Sequence, residues 1–287
     1  MLRLMKYKIF FFIFSTLLII PGIIFIFMGG LKFGIDFTGG ALLEYKFQNQ
    51  ISKDDLNQFG QVVESGQNTY ILRTPAVSHD DLQILKKNIN DKFGSFEVRR
   101  EENVGPTIGK ELEQKAILAL AISWIMIVLY ITFAFRKLPK PASSFRFGIS
   151  AIAALVHDVL LLVGAFAIFG YFWHVEIDTL FVTALLTVVG FSVHDTIVVF
   201  DRIRENLPKN IGKKFEYVVD ISIAQTLARS LNTSLTVAFV LTALLLFGGI
   251  TIKWFVVALL IGIISGTYSS IFNAAALLSW WEEKLGH

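Results

Sequence analysis

Asp195 stands inside the run Gly190–Asn206, GFSVHDTIVVFDRIREN, whose surroundings read as membrane-buried. Leu185, Leu186, Val188, Val189 and Phe191 precede it, and Ile197, Val198, Val199 and Phe200 follow. A carboxylate near the middle of a bilayer costs on the order of 3 kcal/mol on insertion scales, so one kept there usually has a task. Ser192, His194 and Thr196 flank it, and His157 and Asp158 sit in a similar apolar setting, ALVHDVLLLVG. Further along, Gln225, Arg229, Asn232, Thr233 and Thr236 fall at i, i+4, i+7, i+8 and i+11. On a helix these form one polar stripe, which must face protein or water rather than lipid.

The chemistry such groups can do is proton exchange. Asp195 lies about five residues inside the end of its apolar segment, and Arg229 a few residues inside the start of the next. The two charges are therefore expected to meet at similar depth across antiparallel helices, and an ionised pair is the natural way to hold them there. Burial and a nearby guanidinium act in opposite senses on a carboxylate's hold on its proton. Near balance, the group could load and release one. His157, His194 and Asp158 are candidate relay members, and Gln225, Asn232 and Thr233 a supporting polar face. The competing reading is a structural ion pair that fixes helix packing, with both histidines satisfied inside the bundle.

Long apolar segments must position these groups. The chain has 287 residues, 54% hydrophobic and 17% charged, with mean hydropathy +0.61, which marks an integral membrane protein. Six segments supply the roughly 20 residues that a 30 Å hydrocarbon core requires. They are Ile9–Met28, Ala116–Phe135, Phe147–Phe169, Ile177–Phe200, Leu227–Phe247 and Trp254–Trp280. The first is too long for a signal core and lacks a small-x-small cleavage site, so it reads as an uncleaved anchor. Gly262 and Gly266 in the last segment predict close helix contact.

Lys and Arg placement sets the expected orientation. Arg3, Lys6 and Lys8 precede the first segment, Arg136, Lys137, Lys140 and Arg146 follow the second, and Arg202, Arg204, Lys209, Lys213 and Lys214 follow the fourth. The opposite loops, 171–176 and 248–253, hold none and one. The positive-inside rule then places both termini in the cytoplasm. The net charge of +3 reports this bias, and no motif suggests a nucleic-acid partner.

Residues 31–115 form the one long segment outside the membrane, with 11 Lys/Arg and 13 Asp/Glu. Ala41–Phe47 alternates as a strand, and Phe96–Glu101 reads as a last one. Ser52 with Asp55 and Ser78 with Asp81 resemble capping boxes. The first is expected to open a helix with Leu56, Phe59 and Val63 on one face, the second a helix with Leu82, Leu85, Ile89 and Phe93. Gln61–Ser65 and Asn68–Thr74 around Gly66 suggest a helix end and a hairpin. The order is that of an α+β ferredoxin-like domain. Gly34–Gly40, GIDFTGG, lacks the lysine of a phosphate loop and precedes a strand, so a tight turn explains it better. The only histidine here, His79, lies in a cap, where solvation is the simple reading. With no cysteine and no catalytic constellation, neither an enzyme, a cofactor nor a metal site is expected. The expected division is 1–30 for the N-terminus and first helix, 31–115 for the extracytoplasmic domain and 116–287 for the remaining five helices.

The motifs GFSVHDTIVVFDRIREN, GIDFTGG, EENVGPTIGKEL, ALVHD, QTLARSLNTSLT and LLIGIISGTYSSIFNA together resemble the SecD/SecF family of protein-export membrane proteins. The resemblance runs in order over nearly the whole chain. It implies six transmembrane helices of an RND-type (resistance–nodulation–division) half-transporter, paired with SecD beside the SecYEG channel in the bacterial inner membrane. It also implies YajC and YidC as neighbours, unfolded preprotein as cargo, lipid around the helices, and use of the proton gradient. The family's proton pathway falls on Asp195 and Arg229. His194 departs from the family, which commonly has Asn there. Two other readings stand beside this one. They are a half-size RND-type exporter of small molecules or lipids, which normally has two such halves in one chain, and a passive membrane scaffold.

Overall fold

The computed structural model describes residues 3–76, 78–136 and 143–284. Lys137, Lys140 and the last three residues of the expected third region, 285–287, lie outside the described residues. Two compact units emerge, Phe33–Leu118 and the combination of Met1–Lys32 with Ala119–His287.

The second of these carries, wholly or for the larger part of their apolar length, six helices that are long and apolar enough to cross a membrane, counted among the described residues. They are Met5–Phe27, Pro106–Ala134, Ser144–Trp173, Thr179–Asn206, Phe215–Phe247 and Lys253–Lys284, the first to sixth spans. Their helical bounds exceed the apolar segments, for reasons the charged residues explain. The fourth runs past Phe200 to Asn206, with ion pairs Arg202–Glu205 at 2.7 Å and Arg204–Asp201 at 2.6 Å along its surface. Such pairs three residues apart support a helix beyond the hydrocarbon. Arg202 and Arg204 thus belong to a helix end rather than a loop. The fifth span starts at Phe215, well before Leu227, and Pro106 opens the second, a position that suits proline. The sixth is interrupted: a π turn, Ser269–Ala274, joins Lys253–Tyr268 to Ala275–Lys284.

Where the first, third and fifth spans begin and the sixth ends, charges tie the bundle together. Lys8 Nζ meets Glu216 Oε1 at 2.6 Å and also pairs with Glu283. Arg146 Nε meets the fully buried Glu282 at 2.6 Å, and the Met5 amide donates to Asp220 Oδ1 at 3.0 Å. Nearby, Phe135, Phe147 and Phe200 pack edge to face in the core. This alternation puts both chain ends on one side.

The other unit holds a four-stranded antiparallel sheet: β1 (Gly40–Phe47), β2 (Gln61–Gly66), β3 (Thr69–Thr74) and β4 (Phe96–Val104). The order β2-β3-β1-β4 is the ferredoxin-like one. One long helix, His79–Phe93, covers it, burying Leu82 and Ile89 against Leu43, Tyr45 and Leu72. Its cap forms as expected, with Ser78 Oγ accepting the Asp81 amide at 3.1 Å. The helix expected from Ser52 is shorter than its pattern suggested. It spans one turn, Lys53–Leu56, then a 3₁₀ turn to Phe59, and Ser52 makes no side-chain cap. Val63 lies on β2 instead, because Gly60, at φ +151°, ends the turn. GIDFTGG is a one-turn helix, Ile35–Thr38, leading into Gly39 at φ +71°. A Cβ on Gly39 would lie 3.0 Å from Pro106 Cα, so the glycine serves a tight packed turn.

Candidate functional site

Among the described residues, four buried carboxylates lie on the spans; Asp220 and Glu282 sit near helix ends, while Asp158 and Asp195 sit deeper, and the surroundings of these two differ sharply. Asp158, on the third, is wholly buried. Its Oδ1 accepts from Ser265 Oγ at 2.7 Å and lies 3.0 Å from His157 Nδ1. Its Oδ2 accepts from Ser192 Oγ at 2.5 Å and Ser269 Oγ at 2.6 Å. Three hydroxyls from the fourth and sixth spans thus converge on one carboxylate.

Asp195, 7% exposed, has less company. Ser230 Oγ donates to its Oδ1 at 2.7 Å, while its Oδ2 is buried with no hydrogen-bond partner among the described residues. The ionisable groups nearest it in charge influence are His194 and the Arg229 guanidinium. The expected Asp195–Arg229 ion pair is not closed to contact distance among the described residues, where the helix presents Ser230 instead. Arg229 and Ser230 point about 100° apart on a helix. Ser230 faces the fourth span, and Arg229 lies exposed beside that contact.

The fifth span therefore has two polar faces. Ser222, Thr226, Ser230 and Ser234, four residues apart, are buried. Ser222 and Gln225 accept from Asn206 Nδ2 at 3.0 and 2.9 Å, and Ser234 shares a 2.5 Å hydrogen bond with Thr267. Gln225, Arg229, Asn232, Thr233 and Thr236, the stripe read from the sequence, are exposed, as is His194 on the fourth span. The stripe is real, but this chain alone does not cover it. Such a surface at membrane depth belongs against protein or a water-filled cavity.

Of the expected relay, His157 stays beside Asp158, its Nε2 buried and unpartnered among the described residues. Among the described residues, no hydrogen bond joins His157 or Asp158 to Asp195. The fourth and sixth spans also meet through Thr196 and Ser270, whose hydroxyls are 2.7 Å apart. A Cβ on Gly266 would sit 3.0 Å from Ser192 Cβ, and one on Gly262 would run into Val188, so these glycines permit the close contact expected of them. Ser15 of the first span donates to Asn273 Oδ1 at 2.9 Å. The sequence reading missed the roles of Ser230, Ser265 and Ser269; a four-residue serine and threonine repeat was the available signal.

Comparison with known proteins agrees with this architecture. Residues 84–284 match the family model described as protein export membrane protein SecD/SecF, C-terminal, and residues 24–51 match the SecD/SecF GG motif. A protein translocase subunit SecF from Thermobaculum terrenum is 47% identical, over 99% of this chain and 95% of its own length. The protein translocase subunit SecDF of Bacillus subtilis is 36% identical, over 96% of this chain and 37% of its own. The crystal structure of SecDF from Thermus thermophilus, a translocon-associated membrane protein, superposes with a TM-score of 0.85 at 30% identity. The match covers 97% of this chain and 38% of that one, so this chain spans well under half of the longer SecDF proteins.

Proposed function

The chain belongs to the SecD/SecF family of protein-export membrane proteins, and on that premise we propose that it couples the proton gradient to late steps of export as one half of a pair with SecD. It is a multi-pass membrane protein with a role in protein export, and the proposal concerns how that role is performed. The observation that carries it is the half-satisfied Asp195 carboxylate, buried beside an exposed polar face. Asp195 takes up and releases the proton, with Arg229 and His194 as its ionisable neighbours. Gln225, Asn232 and Thr233 line the face that SecD covers. When Asp195 is neutral, the hydrogen bond from Ser230 loses its charge-assisted strength and the fifth span is free to shift.

One charge crossing the field yields about 2.3 kcal/mol per 100 mV, enough to bias a two-state packing more than tenfold. The shift is carried to the outer domain by the chain itself, at Gly29–Gly34 and Gly105–Lys110. In this reading the unit is an RND-type half-transporter in the bacterial inner membrane with both termini cytoplasmic. SecYEG lies beside it, YajC and YidC are neighbours, unfolded preprotein is the cargo, and nothing is chemically catalysed.

The test is site-directed cross-linking. Cysteines introduced at Asn232 or Thr233 should trap SecD in membranes, while one at Leu118 on the exposed second span should not. A fully active complex in which the Asn232 and Thr233 face touches only lipid would refute the pairing. Collapsing the proton gradient with an ionophore at constant ATP should slow export in vesicles with this chain and have little effect in vesicles without it.

A further inference from the structure

Asp158 and Asp195 are held differently. Two neighbours meet each oxygen of Asp158, drawn from its own span, the fourth and the sixth: the hydroxyls of Ser192, Ser265 and Ser269 donate, and His157 Nδ1 lies 3.0 Å away. Removing the carboxylate takes an acceptor from each of these buried hydroxyls, of which Ser269 keeps the Gly266 carbonyl at 3.2 Å. The same three spans are the most buried of the six. Their most apolar stretches are 44%, 50% and 61% buried, against 17% for the fifth. Thr196 and Ser270 and the close passage at Gly266 bind the fourth to the sixth again.

The fifth span is held differently. Near its start, Asn206, the Met5 amide and Lys8 fasten it through Ser222, Gln225, Asp220 and Glu216. In the middle of the span, two hydroxyls among the described residues reach the block, Ser230 to Asp195 and Ser234 to Thr267. Beyond Ser234, the threonine hydroxyls bond back to the helix itself, Thr236 to Thr233 and Thr242 to Ala238. By its side-chain hydrogen bonds it is an arm fastened at one end and latched in the middle, while it also packs along the fourth and sixth spans.

We propose that Asp158 is a positioning residue that pins the third, fourth and sixth spans into one block, so that Asp195 is presented on a fixed surface and the fifth span alone moves against it. The proposal rests on the proton-coupled reading of Asp195 and removes Asp158 and His157 from the expected relay.

The chain has no cysteine, so disulfides can be placed at will with a cysteine-free SecD partner. In membrane vesicles with the whole complex, Thr196→Cys with Ser270→Cys bridges the block, and Ser234→Cys with Thr267→Cys bridges block and arm. The first disulfide should leave gradient-dependent export intact. The second should abolish it, with full return on reduction. Asp158→Asn should weaken gradient-dependent export, and Asp158→Cys with Ser265→Cys, oxidised to tie the third span to the sixth, should restore it, because a covalent tie replaces a pin but not a proton carrier. Should Asp158→Asn fail to assemble, the two disulfides in the otherwise native chain decide alone. Export that survives the Ser234–Thr267 disulfide, or that is lost with the Thr196–Ser270 one, overturns the proposal. So does an assembled Asp158→Cys with Ser265→Cys complex that exports no better oxidised than reduced. Asp195→Asn in the same vesicles reports separately on the proton-coupled reading. If it abolishes gradient-dependent export while the Ser234–Thr267 disulfide is harmless, only the division into block and arm fails.

Discussion

Ser230 on the fifth span donates to Asp195 Oδ1 on the fourth at 2.7 Å, one of two side-chain hydrogen bonds that, among the described residues, join the middle of the fifth span to the block. Arg229, its neighbour in sequence, lies exposed beside that contact. The latch is therefore a neutral hydroxyl on a carboxylate, with the guanidinium left on the face proposed for SecD.

Ser230→Ala should leave Asp195 without a hydrogen bond from this chain, costing about 1–3 kcal/mol for a buried acceptor left unmade. The variant is expected to lower the thermal midpoint of the purified complex and to weaken gradient-dependent export. Ser230→Thr, which keeps the hydroxyl, should behave close to the parent. Equal stability of Ser230→Ala and parent would show that the latch contributes nothing.

At the end bearing both termini, Arg146 pairs with a fully buried Glu282 at 2.6 Å. Removing one partner of a buried pair costs about 3–5 kcal/mol, whereas replacing both by apolar residues is often nearly neutral. Arg146→Leu alone should sharply reduce the yield of assembled protein, and Arg146→Leu with Glu282→Leu should recover much of it. A double variant as poor as the single one would contradict this.

Much of this was legible because hydropathy and charge placement report on the solvent each residue meets. Six spans, the external α+β domain, the Ser78 cap and the depth of Asp195 all follow from that. What was not legible depends on which way a helix faces. Arg229 and Ser230 are adjacent, and depth alone does not say which of them meets Asp195. Ser192 reads as a polar neighbour of Asp195, and Ser265 and Ser269 fall in a run of small residues suited to packing; their shared role appears only when the three converge on Asp158. The extension of the fourth span to Asn206 was hidden for the opposite reason, since Asp201–Glu205 is charged yet helical.

In the outer domain, Tyr45 is 2% exposed, stacks on Phe96 at 4.3 Å, and has a buried hydroxyl with no partner among the described residues. Burial first, and then the nearby Glu101 charge, push its phenol well above the ordinary tyrosine range. A group whose folded value is raised stabilises the fold below the unfolded value of about 10 and loses that contribution as pH rises beyond it. The parent should therefore shed outer-domain stability in strong alkali as Tyr45 ionises. Tyr45→Phe should be at least as stable at neutral pH and should lose less in alkali. Hydrogen exchange at β1 amides across that pH range reads the difference, and identical profiles would contradict the account.

The central claim is that Asp195 exchanges the proton that drives export, and the direct measurement is export by an Asp195→Asn complex at full proton gradient and constant ATP. The asparagine keeps the size of the side chain and an oxygen for Ser230, so the complex should insert and assemble with SecD normally. It should export at the rate the parent shows when an ionophore has collapsed the gradient, with no further loss when the ionophore is added. An assembled Asp195→Asn complex that exports as fast as the parent at full gradient, and slows like the parent when the gradient is removed, would show that Asp195 is only a structural partner of Ser230.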